Sequence, residues 1–89
     1  MKGNKLKAIM DINGITAVDM LEKIKIPQST FAGYVCKGGS GIRIPALDDA
    51  IIIVKALRKH FGLSVSVLEL FPNILLTEDQ RKRLERMGL

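Results

Sequence analysis

Pro27 restricts this chain more than any other residue. A proline has no backbone N–H and its ring clashes with the turn before it, so a helix accepts it only at its start. Apolar residues at helical spacing nevertheless run up to it, Ala17, Met20, Leu21 and Ile24, and resume behind it, Phe31, Tyr34 and Val35. Only Lys25 and Ile26 separate the first stripe from the proline. The segment is therefore expected to form two short helices with a very short link, which must cross at a steep angle.

The second of these helices is expected from Gln28 to Cys36 or Lys37, ended by Gly38-Gly39-Ser40-Gly41. One face carries Phe31, Tyr34 and Val35; the other carries Gln28, Ser29, Ala32, Gly33 and Cys36, all small or polar. Gly33 costs such a helix about 1 kcal/mol relative to alanine, which calls for a packing or functional cause. Either Ala32 and Gly33 lie beneath another helix, or the face is bare so that the helix backbone can approach a binding partner.

The rest of the chain also reads as helix. Leu6, Ile9 and Met10 mark a short first helix closed by Asn13-Gly14. Thr16, with Asp19 three residues on, is a capping-box start for the second, and Val18 lies off its apolar stripe. Leu47 to Phe61 keeps helical spacing through Ala50, Ile51, Val54 and Leu57, and the additional Ile52 and Ile53 imply burial on more than one side. Asp48 and Asp49 in its first turn, and Arg58, Lys59 and His60 in its last, suit the helix dipole, with Gly62 just beyond. Ser64 is expected to cap a fifth helix to Leu70, with Val65, Leu68 and Phe71 inward. A last helix should follow Thr77, whose Thr-x-x-Gln to Gln80 is a second capping-box pattern, anchored only by Leu84 and Met87.

Eighty-nine residues suit one domain. The single cysteine, Cys36, forms no internal disulfide, and with one histidine, His60, there is no metal-ligand cluster and no cofactor to expect. The longest apolar run, Ala50 to Val54, falls far short of the roughly 18 to 20 residues that span a bilayer, so no membrane association and a cytoplasmic location are expected. No catalytic constellation is visible: Cys36 and His60 stand alone, and Asp48-Asp49 opens a helix. The glycine-rich segment after Lys37 lacks the Gly-Lys-Ser/Thr of a phosphate-binding loop. Charge is more informative. The net +5 lies mostly in residues 1–46, where seven bases face three acids, and such an excess favours a polyanionic partner.

An all-helical domain with a short, steeply linked helix pair and a basic bias fits helix-turn-helix DNA binding, in which the second helix of the pair enters the major groove. Gln28 and Ser29, at the N-terminal end of that helix, can then hydrogen-bond base edges or phosphate, while Ala32 and Gly33 allow close approach. The resemblance becomes specific here. Leu6 to Phe71 resembles the lambda-repressor-like (Xre/Cro) DNA-binding domain: "ITAVDMLEKIKIPQSTFAGYVCKGG" follows the family's paired-helix pattern, "QSTFAGYVCKG" is similar to its recognition helix, and "LSVSVLELFP" resembles its fifth helix. The chain departs from the family at Ala17, where a glutamine is frequent, at Leu21 in place of a small alanine, and at Lys25 in place of the turn glycine.

The resemblance implies an all-α, five-helix domain over residues 1–76 and a short helical tail over 77–89. Base reading is expected from Gln28, Ser29, Ala32 and Gly33, and phosphate binding from Lys25, Thr30, Lys37 and Arg43, the last from the loop behind the recognition helix. The implied role is a bacterial or phage transcriptional repressor at the nucleoid, occupying a near-palindromic operator in double-stranded DNA as a homodimer. Ile74, Leu75, Leu76, Leu84 and Met87 are left without an obvious core, so either a symmetric partner covers them or the tail folds back on its own domain. A rival expectation is an antitoxin-type regulator that uses the same scaffold to hold a protein, with Val18, the Ile52/Ile53 surface or the tail as its apolar patch.

Overall fold

The computed structural model describes residues 5–35, 45–72 and 74–89. These residues form six α-helices and no strand: α1 (Leu6–Ile12), α2 (Ala17–Leu21), α3 (Gln28–Val35), α4 (Leu47–Phe61), α5 (Val67–Leu70) and α6 (Glu78–Met87). The expectation of an all-α domain therefore holds.

Local chemistry accounts for most helix ends. At α2 the Thr16 hydroxyl accepts the Asp19 backbone N–H at 3.1 Å and the Asp19 carboxylate accepts the Thr16 N–H at 3.0 Å, the reciprocal pair of a capping box. Thr77 and Gln80 do the same at α6, at 3.2 and 2.9 Å. Gly14 after α1 and Gly62 after α4 both take φ 68°, a left-handed conformation that glycine adopts without strain. Pro27 stands just outside α3, its carbonyl accepting the Phe31 N–H at 2.9 Å, so the missing proline donor costs no helix bond.

The core is assembled around α4, whose Ala50, Ile53, Val54 and Leu57 are fully or almost fully buried. Leu6 and Met10 of α1, Met20 of α2 and Phe31 and Tyr34 of α3 close one end of it, and α3 packs against both α1 and α2. Val67, Leu70 and Phe71 close the other end, where α5 packs on α4. The Lys5 N–H donates to the Leu70 carbonyl at 2.7 Å and joins the start of α1 to the end of α5.

One expectation is corrected, and two open alternatives are narrowed. The fifth helix starts two residues later than expected, capped by Ser66, whose hydroxyl accepts the Glu69 N–H at 3.2 Å while the Glu69 carboxylate accepts the Ser66 N–H. Ser64 has no such acid three positions on; Ser66 has, and the shift turns the helix so that Val67 and Leu70 point inward and Leu68 is 44 % exposed. Of the five residues left over from the five-helix core, Ile74 and Leu84 are buried within the single chain, at 8 % and 4 % exposure, Leu76 is half-buried, and Leu75 and Met87 stay exposed, at 93 % and 38 %. The α6 segment folds back: Val67 donates to the Leu89 carbonyl at 2.9 Å, and Arg58 donates from Nε to the Val65 carbonyl at 2.7 Å and from Nη1 to the Gly88 carbonyl at 2.6 Å. Finally, Ile53 is fully buried and Ile52 half-buried, so the pair forms no open apolar surface.

Candidate nucleic-acid interface

The candidate face is built on α3, eight residues that make little more than two turns. A helix this short is marginal in isolation and owes its stability to packing. Phe31 and Tyr34, 1 % and 6 % exposed, supply that packing from one side. Tyr34 is held further by its hydroxyl, which donates to Asp49 Oδ2 in the first turn of α4 at 2.6 Å.

Gln28, Ser29 and Ala32 are all exposed, and at 3.6 residues per turn they fall within an arc of about 100° on the side away from Phe31 and Tyr34. Ala32 therefore does not lie beneath another helix. Half-buried Gly33 lies about 40° beyond the Ser29 edge of the arc, half-buried Thr30 lies about 100° beyond it, next to Tyr34, and Lys25 is exposed in the turn before Pro27. Lys37 and Arg43 lie outside the described residues, as does Cys36. Six of the eight candidate residues thus sit on α3 or the turn leading into it, four of them exposed.

Charge around this end is mixed: residues 5–35 hold Lys5, Lys7, Lys23 and Lys25 with Asp11, Asp19 and Glu22, and the Asp49 carboxylate reaches Tyr34 from α4. Lys7 is neutralised by Asp11 at 2.9 Å, whereas Lys23 and Lys25 are exposed and make no ion pair with the described residues. The Thr16 backbone N–H, then its hydroxyl, and after them the Lys23 charge hold the Asp19 carboxyl below the usual carboxylate value. A second opening lies far along the sequence: a shallow, mainly apolar cleft of about 220 Å³ between α5 and α6, floored by Leu68, Leu84 and Leu89 and edged by Arg81 and Glu85.

Three features were missed in the sequence. Asp49, expected only as a helix-dipole partner, is the acceptor for Tyr34; nothing in spacing announces a bond across 15 positions. Arg58, expected in the same role at the other end of α4, clamps the Val65 and Gly88 carbonyls, which have no side-chain signature. Ile15 is buried at 7 % exposure although it falls between helices. Among the described residues no group of three or more His, Cys, Asp or Glu side chains is placed to hold a metal ion, and no helix is long and apolar enough to cross a membrane.

No protein-family model, no curated protein and no solved structure matches this chain.

Proposed function

We propose that this chain is a sequence-specific double-stranded DNA-binding regulator of lambda-repressor-like helix-turn-helix type, with α2 and α3 as the pair and α3 as the reading helix. The observation that carries the reading is the exposed arc of Gln28, Ser29 and Ala32 on a short helix anchored from the opposite side by buried Phe31 and Tyr34. A helix laid in the major groove needs that division, with small side chains where its backbone nears the bases and hydrogen-bonding ones at its N-terminal end. Gln28 and Ser29 can each donate to and accept from base edges. Lys25 and the half-buried Thr30 are the proposed phosphate contacts, and Pro27, whose side chain has no acceptor to cap the first N–H groups of α3, leaves that end suited to a phosphate oxygen. The net charge of +5 supplies the sequence-independent attraction.

One α3 can contact only a few base pairs. Two copies related by a two-fold axis would need to present their α3 helices about one duplex turn, roughly 34 Å, apart to reach successive major grooves. The α5–α6 cleft is the surface proposed for that pairing, because Arg81 and Glu85 both line it and a two-fold axis passing between them would repeat any Arg81–Glu85 contact between copies twice. Occupying an operator in this way would make the protein a repressor.

Selection of bound duplexes from a random pool tests the proposal. The chain should enrich a near-palindromic consensus; Gln28→Ala and Ser29→Ala should each cost about 1 to 3 kcal/mol and relax one or two positions of it. Lys25→Ala should weaken all duplexes alike and flatten the salt dependence. Enrichment of no sequence would refute the reading.

A further inference from the structure

We infer that the Tyr34–Asp49 hydrogen bond fixes the rotation of α3 about its own axis, making Asp49 a specificity-determining residue that acts through Tyr34 without itself reaching a base. This rests on the proposed reading of DNA by α3. The bond runs from the Tyr34 hydroxyl to Asp49 Oδ2 at 2.6 Å and joins α3 to α4. Both ends are firmly seated. The Tyr34 ring is 6 % exposed, and Asp49 lies in the first turn of the most deeply buried helix, where the dipole favours its negative charge.

Apolar packing alone would hold α3 less definitely. Burial of Phe31 is non-directional: it draws the helix inward but is tolerant of a small roll. A charge-assisted hydrogen bond of this length is directional and short, and it resists that roll. The consequence at the opposite face follows from geometry. A side-chain tip lies about 5 to 6 Å from a helix axis, so a roll of about 10° moves it by about 1 Å. Base-edge hydrogen bonds accept a spread of only about half that in length. Electrostatic attraction to the duplex is almost blind to such a movement. Loss of the bond should therefore erode discrimination between sequences while leaving general DNA affinity intact.

Charge-matched variants separate this from simple destabilisation. Tyr34→Phe removes the hydroxyl and leaves the net charge at +5. Asp49→Ala removes the acceptor and one negative charge; Asp48→Ala removes the same charge from the exposed neighbouring position. Dissociation constants are measured for the selected consensus duplex and a scrambled one at the same salt, on variants first shown to be folded by far-UV circular dichroism. Tyr34→Phe should lower the consensus-to-scrambled ratio about tenfold, with scrambled affinity unchanged. Asp49→Ala should lower the ratio similarly, with scrambled binding raised to the level of Asp48→Ala, which itself keeps the wild-type ratio. Should Tyr34→Phe fail to fold, the Asp49→Ala and Asp48→Ala pair decides. Wild-type ratios in the folded Tyr34 and Asp49 variants overturn the inference and leave DNA reading intact. A wild-type protein that binds consensus and scrambled duplexes equally overturns the DNA reading, and the inference with it.

Discussion

Leu84→Ala discriminates between a sixth helix that belongs to the fold and a tail waiting for a partner. Leu84 is 4 % exposed in the single chain and is the one buried residue of α6. Truncating a buried leucine to alanine costs about 2 to 5 kcal/mol, the spread reflecting how far the surroundings close over the void. Here the void opens onto the α5–α6 cleft of about 220 Å³, where Leu68 and Leu89 can shift toward it, so the expected cost is near the lower limit, about 2 kcal/mol. A domain of 89 residues has a total stability of about 4 to 13 kcal/mol, so the loss is a substantial share. With a urea slope of about 1 to 1.5 kcal/mol per molar, the unfolding midpoint should fall by about 1.3 to 2 M.

Two probes make the assay decisive. Far-UV circular dichroism reports all six helices, and the fluorescence of Tyr34, the single tyrosine in a chain without tryptophan, reports α3. If α6 is part of one cooperative unit, both signals shift together although Leu84 and Tyr34 lie on different helices. An unmoved Tyr34 midpoint, with a small early loss of dichroism, would mean that α6 detaches on its own and that its docking adds nothing to the domain. Simple deletion of Thr77 to Leu89 is the poorer experiment, because it removes the Leu89 carbonyl that accepts from Val67 and the Gly88 carbonyl that accepts from Arg58, confounding dimerisation with unfolding.

Two further outcomes are expected. Asp19 has a lowered carboxyl pKa, so its cap contributes stability above the ordinary carboxylate value of about 4 and loses it as the pH falls below that through the folded-state value. The protection factor of the Met20 amide, whose N–H donates to the Thr16 carbonyl at 3.1 Å, should fall across that window in the wild type, after division by the intrinsic exchange rate at each pH, and show no such acid step in Asp19→Asn. At the α5–α6 cleft, Arg81→Glu and Glu85→Arg should each weaken self-association by sedimentation equilibrium, and the double exchange should restore it. Failure of the double variant to recover would rule the cleft out as the two-fold interface.

The helices were legible where side chains themselves carry the signal. Thr16 with Asp19 and Thr77 with Gln80 announce two helix starts because the capping partners are adjacent in sequence and specific in type. Pro27 marks the break between α2 and α3 for an equally local reason. At α5 the same chemistry was present in Ser66 and Glu69, but Ser64 offered a competing cap two residues earlier. Val65 and Phe71 are buried as expected, and Leu68 alone of the expected inward residues is exposed, its place in the core taken by Val67 and Leu70. The docking of α6 was illegible because Arg58 and Val67 donate to backbone carbonyls, which every residue possesses. The bare face of α3 was legible as a pattern, whereas the Tyr34–Asp49 bond that orients it depends on the tertiary approach of two helices.

That bare face is not what packing alone would favour. A helix retained only to cover the core gains from strong helix formers on its outer side, and replacing a mid-helix glycine by alanine gains about 1 kcal/mol wherever the space allows. Instead α3 has Gly33 at the margin of its exposed arc and Ser29 and Ala32 within it, and it depends on Phe31, Tyr34 and the Asp49 bond for its place. Local propensity and tertiary anchoring therefore pull apart in this one helix, and such conflicts collect where a surface serves something other than stability. Small side chains on an outward arc help only if another body comes close to the backbone there. Two exposed lysines in the preceding turn make no ion pair with the described residues, and the net positive charge lies mostly in that half of the sequence; both support the proposed partner, a polyanion with a groove wide enough for a helix, as the major groove of duplex DNA is.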